Sequence, residues 1–597
     1  MSISATRASL CVVGICAWAC SSRAQWQNAL QPDGPPAGQL TVARAGQPQA
    51  VIHLPDPATP QQTNAAGQLQ RWLREITGAT LPIQSGKPGT NSIRILTDAA
   101  LGDEGYAIAA QPGQIVLCGG RTRGVLNAVY ALLEEDLGCR FYTKDSLRLP
   151  ATNTLVLAPV PRRYVPQLKI RDPFYACAFD PDWSLRNRTD APSAAVPEAY
   201  GGRVDYAGMF VHTAAQLVPP DKYLKDHPEY FAQKADGTRS PNQLCATEPG
   251  VARVAIAQVR QVLRDHPQAE IVSVSKNDNT EVCLCARCKS LRETEGSDMA
   301  NQLVLVNQVA EAVAKDFPAV TIDTLAYLET IQVPKTARPR TNVVIRLCND
   351  RVGAWSHPFT AAAHSEVAKL IVAWSAVHHR LSIWDYNVNF SHYLAPMPNL
   401  EVMAANIRFW TKHHAEGVML QGGYQGPAER DELKCWVTAK LLWNPARDEH
   451  ALVQDFIWGH YGKAAPALAD YEALLEQAAK DHAAALAAPP GGIRYGMDAA
   501  FLTKDFVTRA AALFGRAQQL AAGDPELLRR VDRAQLPLLY VQCVRGPEFV
   551  GEDYARVVTD FERIARREGV RCLQEGGPDF EAKLAGYKGR IPKPVSR

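Results

Sequence analysis

Apolar and polar positions repeat with two different periods in the first quarter of the chain. Two segments with apolar residues at helical spacing, 64–76 and 122–137, each end just before a glycine, the residue that commonly follows a helix. Three short apolar runs have the length of strands, at residues 51–54, 93–96 and 114–117. This alternation predicts a small α/β domain over residues 25–157, with helices packed on a sheet.

A longer series of short apolar runs, separated by amphipathic helices, fills the middle of the chain. The strands it predicts are residues 168–171, 209–213, 243–247, 271–275, 321–327, 343–348, 381–386 and 417–421. Eight parallel strands are the number that closes a (β/α)8 barrel. The sequence therefore predicts a TIM-type barrel, the catalytic domain, over residues 158–428.

Strand-like runs cease at residue 429. Segments rich in alanine and leucine, such as 466–480 and 504–522, have helical composition and period, and the first of them begins with a proline. A helical domain is predicted over residues 429–597. The fold class is therefore α/β, with a small N-terminal α/β domain, a central (β/α)8 TIM-type barrel and a C-terminal helical domain.

Composition and charge limit the classes of molecule that this protein is expected to bind. The chain has 597 residues and 46% hydrophobic residues, which suits a globular protein with several cores. Its 64 Lys and Arg residues against 61 Asp and Glu residues leave a net charge of only +3, so we expect no nucleic-acid partner.

The first residues predict export. Arg7 precedes an apolar run over residues 10–19, and Ser22-Arg23-Ala24 supplies small residues for cleavage, so residues 1–24 are interpreted as a signal peptide. That run is too short for a transmembrane helix, and no other stretch approaches twenty apolar residues. We expect a periplasmic or secreted protein without a transmembrane segment. A lipid anchor on Cys20 is the alternative.

Polar and aromatic residues follow the predicted barrel strands, at the carboxyl ends that form the active-site face of this fold. The candidate substrate-binding residues are His212, Asn277, Tyr327, Trp384, Tyr386 and Gln421. Asp278 and Asp385 lie among them, and Glu281 follows closely. Each also has a structural interpretation, because Asn277 and Asp278 suit a helix N-cap, and Trp384 and Tyr386 could fill the barrel.

Hydrolysis by paired carboxylates is the chemistry that these residues favour. The sequence has neither the glycine-rich nucleotide-binding patterns nor the zinc-protease and serine-hydrolase motifs, so no catalytic cofactor is expected. Cleavage of a glycosidic bond needs a proton donor and an opposing carboxylate. We assign Asp278 as the general acid, its pKa raised by partial burial, and Asp385 as the opposing group.

Local motifs resemble known families. Residues 65–83 and 124–142, with Gly138-Cys139-Arg140-Phe141-Tyr142, look like the N-terminal domain of α-glucuronidases and hexosaminidases. The barrel is similar to a bacterial family of unknown function, some members of which form glycoside hydrolase family 163. The motifs that carry this resemblance are His227-Pro228-Glu229-Tyr230-Phe231, Gln243-Leu244-Cys245, Ser273-Val274-Ser275-Lys276-Asn277-Asp278, Cys283-Leu284-Cys285-Ala286-Arg287-Cys288, Leu325-Ala326-Tyr327 and Ile383-Trp384-Asp385-Tyr386.

The resemblance implies a retaining β-N-acetylglucosaminidase-type enzyme that acts on glycans. If the substrate is a 2-acetamido sugar, its acetamide oxygen could be the nucleophile, and Glu281 then competes with Asp385 for the second role. An α-glucuronidase-like exo-glycosidase, favoured by a Lys/Arg pair facing the sugar, and a non-catalytic carbohydrate-binding protein are the alternatives. Two carboxylates on opposite sides of one cleft would indicate the enzyme.

A cysteine cluster predicts a structural site. Cys283, Cys285 and Cys288 follow the fourth predicted strand, and Cys245 lies in the neighbouring third strand, so four thiolates could bind zinc tetrahedrally. Disulfides are the alternative in an exported protein. Eleven cysteines remain after residue 24, an odd number, so that alternative leaves at least one thiol unpaired within the chain.

Overall fold

The fold is described from a computed structural model that covers residues 25–87, 89–349, 355–362, 365–486 and 492–592. The expected signal peptide, residues 1–24, lies outside this range. The N-terminal elements are β1 (Leu40–Arg44), β2 (Gln47–Pro48), β3 (Val51–Leu54), α1 (Pro60–Thr77), β4 (Ile83–Ser85), β5 (Ser92–Thr97), β6 (Tyr106–Gln111), β7 (Gln114–Gly119), α2 (Gly124–Ala131), β8 (Arg140–Phe141), β9 (Leu147–Arg148), β10 (Leu155–Leu157) and β11 (Arg162–Tyr164).

A six-stranded mixed sheet in the order β11-β6-β7-β5-β3-β4 forms the N-terminal layer, and α1 and α2 pack on it. Helix α1 begins at a capping box in which Thr59 and Gln62 satisfy each other's backbone N–H groups. It ends at Gly78, whose φ of 74° is the left-handed conformation that glycine adopts without strain. The sequence signals for this helix are therefore confirmed.

The middle of the chain forms a second sheet of six parallel strands with helices around it. Its elements are β12 (Ile170–Asp172), α3 (Pro181–Arg186), α4 (Ala214–Leu217), α5 (Pro220–Tyr223), β13 (Phe231–Gln233), β14 (Arg239–Leu244), α6 (Pro249–Asp265), β15 (Ile271–Ser273), α7 (Ala286–Glu295), α8 (Met299–Asp316), β16 (Thr321–Ala326), β17 (Val343–Cys348), α9 (Ser365–Val377), β18 (Leu381–Tyr386), α10 (Leu400–Lys412) and β19 (Ala415–Gln421). The order β12-β19-β18-β17-β16-β15 is that of a TIM-type barrel, and the expected fold class is confirmed.

Two of the eight expected strands differ from the prediction. Residues 209–213 lie beside β15, where the N–H of Ser273 donates to the carbonyl of Met209 at 2.9 Å. Ala207 and His212 have positive φ values of 49° and 53°, which interrupt an extended conformation there. Residues 243–247 begin inside β14, which pairs antiparallel with β13 in a separate hairpin. Irregular chain therefore borders both edges of the sheet, with Asp190 bridged to Arg171 on β12 and Met209 bonded to β15.

The rest of the chain is helical. Its elements are α11 (Asp431–Trp443), α12 (Glu449–Tyr461), α13 (Ala465–Asp481), α14 (Ala483–Leu486), α15 (Lys504–Ala521), α16 (Pro525–Arg545), α17 (Pro547–Val550), α18 (Tyr554–Arg567) and α19 (Phe580–Gly589). These helices share one hydrophobic core with the barrel, and the domain boundaries at residues 157 and 428 stay predictions. Within the described ranges, no helix is both long and apolar enough to cross a membrane.

A fully buried carboxylate joins the N-terminal layer to the helical tail. Asp455 on α12 pairs with the guanidinium of Arg140 on β8 at 2.6 Å, and both side chains are inaccessible to solvent. The hydroxyl of Tyr142 and the indole N–H of Trp26 donate to the same carboxylate at 2.7 and 3.0 Å. Charges buried without water need such complete pairing, so removal of one partner leaves the other unsatisfied.

We expect Asp455→Ala to lower the free energy of unfolding by about 3–5 kcal/mol, because Arg140 would remain buried without its counter-ion. Urea unfolding at neutral pH measures this loss. The matched control is Asp470→Asn, which removes one carboxylate from the exposed pair with Arg516 and should change stability by less than about 1 kcal/mol. Equal losses in the two variants would contradict the role given to Asp455.

Candidate functional site

A cleft of about 230 Å³ opens at the carboxyl ends of the barrel strands. Residues from eight separate parts of the chain line it, namely His212, Asp278, Leu325, Tyr327, Cys348, Trp384, Tyr386, Gln421, Tyr424, Arg494 and Glu575. Six of these are sequence-predicted site residues: His212, Asp278, Tyr327, Trp384, Tyr386 and Gln421. Five of these six lie in or after parallel strands, and His212 lies in the irregular segment beside β15. Asn277, Asp385 and Glu281 do not line the cleft.

Strands β18 and β19 supply an aromatic wall. Trp384 and Tyr386 are two residues apart, so both side chains point to the same face of β18. Their rings are stacked with centroids 6.4 Å apart. The indole N–H of Trp384 donates to Oε1 of Gln421 on β19 at 2.8 Å, which fixes both side chains. Such a flat, partly polar wall suits the apolar face and hydroxyl groups of a sugar ring.

The loop after β15 places Asp278 at the mouth of the cleft. Its side chain is exposed, so the partial burial expected from the sequence is not found. The preceding Asn277 donates from Nδ2 to the carbonyl of Asn242 at 2.8 Å and accepts from the N–H of Ala215. Asn277 therefore holds the loop against its neighbours, while Asp278 faces the cleft.

His212 and Tyr327 form the side of the cleft next to this loop. Nδ1 of His212 lies 3.0 Å from the carbonyl oxygen of Lys276, and its ring centroid is 6.4 Å from that of Tyr327. The ammonium of Lys276 pairs with Glu329 at 3.0 Å. The ammonium group of Lys276 is therefore already paired with a carboxylate of this chain.

Asp385 lies on the other face of β18, because side chains alternate along a strand and its two neighbours occupy the cleft face. It lines a separate cavity with Asn349, Asn399 and Asn406. Burial raises its pKa to about 7, although hydrogen bonds from the backbone of Tyr386 and from Asn349 act in the opposite direction. The structure thus separates Asp385 from Asp278.

Glu281 is held outside the cleft by the β14 segment. Its carboxylate accepts hydrogen bonds from the hydroxyl of Ser240 and from Nδ2 of Asn242, the latter at 3.0 Å. These bonds lower its pKa, which favours the ionised form. A satisfied carboxylate of this kind stabilises the loop and is poorly suited to donate a proton.

Five cleft residues were not among the predicted site residues: Leu325 and Cys348, which lie in predicted strands, and Tyr424, Arg494 and Glu575. Oε1 of Glu575 accepts from Nε2 of Gln421 at 3.2 Å and from the hydroxyl of Tyr424 at 3.4 Å. Burial raises the pKa of Glu575, and the nearby charge of Asp278 acts in the same direction. Glu575 and Arg494 lie in the helical tail, far from any barrel strand in sequence, and no local motif marks them.

The four predicted cysteines converge at a second site. The sulfur atoms of Cys245, Cys283, Cys285 and Cys288 all lie within 4.8 Å of one another. Sγ of Cys245 is 3.7 Å from that of Cys285 and 3.8 Å from that of Cys288. The N–H of Gln233 on β13 points at Sγ of Cys283 from 3.3 Å. All four are free thiols rather than disulfides.

The fold is that of a TIM-type barrel, and the cleft lies at the carboxyl ends of its strands, where the active sites of this fold are found. The chain belongs to the family described as domain of unknown function DUF4838, whose model matches residues 141–473. Residues 41–134 match the model of glycosyl hydrolase family 20, domain 2. These matches confirm the family resemblance seen in the sequence. No curated protein matches the chain in sequence.

Solved structures with this fold include a family GH115 4-O-methyl-α-glucuronidase with specificity for decorated arabinogalactans. The chain is 11% identical to it, with a TM-score of 0.58, and the match covers 94% of this chain and 81% of that one. The GH20 β-N-acetylhexosaminidase of Streptomyces coelicolor A3(2) is 14% identical, with a TM-score of 0.42, over 73% of this chain and 95% of that one.

Asp385 gives a pH-dependent prediction. Because its folded-state pKa of about 7 exceeds the ordinary value of 3.8, the unfolded chain releases this proton first, and stability falls as pH rises from about 4 to 7. Relative to Asp385→Asn, the wild type should lose up to about 4 kcal/mol of unfolding free energy across that window. Urea unfolding at pH 4.5 and 8 measures the difference. Parallel pH dependence in both proteins would refute this prediction.

Proposed function

We propose that this protein is an exported glycoside hydrolase that cleaves O-glycosyl bonds of glycans in the barrel cleft. One observation carries the proposal. The carboxyl groups of Asp278 and Glu575 line one cleft, although they come from the barrel and from the helical tail. Two carboxyl groups in one cleft are the machinery of glycosidases, whereas carbohydrate binding alone does not need them.

The expected substrate is a β-linked N-acetylglucosamine unit, cleaved with retention. The match to glycosyl hydrolase family 20, domain 2, supports this activity, as does the resemblance of the barrel motifs to glycoside hydrolase family 163. The second candidate is an α-glucuronidase-like exo-enzyme. Arg494 in the cleft favours it, because a guanidinium can bind a sugar carboxylate in a bidentate manner.

A panel of 4-nitrophenyl glycosides that includes the N-acetyl-β-glucosaminide and the α-glucuronide tests the activity. The mature wild-type protein should release 4-nitrophenol from the N-acetyl-β-glucosaminide. Asp278→Asn should lower kcat/KM about a hundredfold or more, because a carboxyl group that takes part in the chemistry typically contributes roughly 10²–10⁴. Steady-state kinetics on the accepted glycoside measures the loss.

The matched control is Asp236→Asn, since Asp236 is an exposed aspartate of the β13–β14 hairpin that does not line the cleft. It should keep wild-type kinetics. A wild type inactive on every aryl glycoside and N-glycan, but able to bind sugars, would favour the carbohydrate-binding alternative. Activity on the α-glucuronide alone would favour the second candidate.

We also propose that the four-cysteine site holds a structural zinc ion. Zinc–sulfur bonds of about 2.3 Å in a tetrahedron place sulfur atoms roughly 3.8 Å apart, and the Cys245 distances of 3.7 and 3.8 Å fit this value. The N–H of Gln233 would donate a hydrogen bond to the thiolate of Cys283, as groups around metal ligands commonly do, and so stabilise it. The ion would tie the segment after Asp278 to the β13–β14 hairpin.

The purified protein should contain about one zinc ion per chain, because four converging thiolates form a closed structural site. Cys283→Ser should abolish stoichiometric zinc and lower the melting temperature, whereas Cys118→Ser, at a free thiol elsewhere, should change neither. Plasma emission spectrometry and thermal unfolding measure the two effects. Metal-free protein with two disulfides among these four cysteines would overturn the proposal.

A further inference from the structure

We propose that Glu575 is the general acid of the cleft and that Asp278 is the opposing carboxylate. This inference rests on the proposed function and identifies the group that donates the proton. It also reverses the role that the sequence suggested for Asp278. The observations that support it are the attachment of the segment around Glu575, the hydrogen bonds of its carboxyl group, and the different surroundings of the two carboxyl groups.

The segment that carries Glu575 is fastened to the barrel at two points. The N–H of Glu575 donates to the carbonyl of Phe390 at 2.9 Å, in the loop after β18. Gln425, in the loop after β19, donates to the carbonyl of Gly576 at 2.7 Å and accepts from its N–H at 3.1 Å. Glu575 lies between these attachments, so its backbone has a defined position over the cleft.

The hydrogen bonds of the Glu575 side chain determine which oxygen carries a proton. Gln421 accepts from Trp384 through Oε1, so its Nε2 is turned toward Glu575. Nε2 of Gln421 and the hydroxyl of Tyr424 both donate to Oε1 of Glu575. The proton of the neutral carboxyl group therefore belongs on Oε2, and the aromatic wall orients the acid through Gln421.

The two carboxyl groups have different surroundings, as an acid and an opposing carboxylate need. Burial against the barrel loops raises the pKa of Glu575, and the charge of Asp278 adds a smaller rise, while Arg494 and the hydrogen bonds from Tyr424 and Gln421 act in the opposite direction. Asp278 is exposed to solvent at the mouth of the cleft. When Asp278 is ionised, its negative charge favours the protonated form of Glu575.

Retaining hydrolysis with these groups is balanced in two steps. In the first, the bond between C1 and the bridging oxygen breaks, its electron pair stays on that oxygen, and Glu575 gives it a proton. The carboxylate of Asp278, or the acetamide oxygen that it polarises, bonds to C1. In the second step, the oxygen of a water molecule bonds to C1 and one proton of that water passes to Glu575. The bond between C1 and Asp278, or the acetamide oxygen, breaks at the same time. One water molecule is consumed, and both side chains regain their initial states.

The test compares leaving groups of different basicity in Glu575→Gln. A phenoxide leaving group needs protonation and a 2,4-dinitrophenoxide does not, so loss of the acid affects the two substrates unequally. With phenyl N-acetyl-β-glucosaminide, kcat/KM should fall a hundredfold or more, and with the 2,4-dinitrophenyl glycoside less than tenfold. The alkaline limb of the kcat/KM profile, which reports deprotonation of the acid, should disappear in the variant.

Glu575→Asp keeps a carboxyl group but shortens the side chain, which moves the acid away from the bridging oxygen. We therefore expect this variant to retain the alkaline limb of the kcat/KM profile at reduced activity. Glu581→Gln, at an exposed ion pair with Arg566 on the same part of the tail, should match the wild type. Equal losses on both substrates, or an unchanged pH profile in Glu575→Gln, would overturn the assignment. An inactive wild type would instead contradict the proposed function, so the two failures are distinguishable.

Discussion

The parallel direction of the barrel strands is the constraint on which the cleft depends. Because β15 to β19 run the same way, every carboxyl end opens at one edge, and residues distant in sequence meet there. Asp278 arrives after β15, Tyr327 after β16, and Gln421 ends β19. The strict alternation of side chains along each strand is the second part of this constraint, and it decides which neighbours enter the cleft.

Much of the fold could be predicted from the sequence because local patterns and packing agree. The strands at 343–348 and 381–386 have the bounds expected from their apolar runs, and helix α1 has the expected terminal glycine. The prediction of the two strands that differ failed because tertiary contacts outweigh the local sequence pattern there. Residues 209–213 contain an apolar run but bend at His212. Leu244, in the other predicted strand, pairs with Phe231 in a hairpin, and the period of its own segment does not reveal that partner.

The candidate site was predictable on its barrel side and not on its tail side. Six cleft residues follow or end predicted strands, so position alone indicated them. The separation of Asp385 from the cleft also follows from the sequence, since Trp384 and Tyr386 flank it and period-two alternation cannot place all three on one face. Glu575 has no such signal, because 154 residues separate it from Gln421, its partner in the cleft.

The helical tail therefore contributes to the site as well as to stability. Asp455 and Arg140 fix α12 to the N-terminal layer, and the common apolar core fixes the tail helices to the barrel. The attachments at Phe390 and Gln425 then place one carboxyl group of the tail in the same cleft as one of the barrel. Because barrel loops bury Glu575 and a barrel carboxylate repels its charge, its raised pKa depends on both parts together. Neither the barrel nor the tail alone would contain the proposed pair of groups.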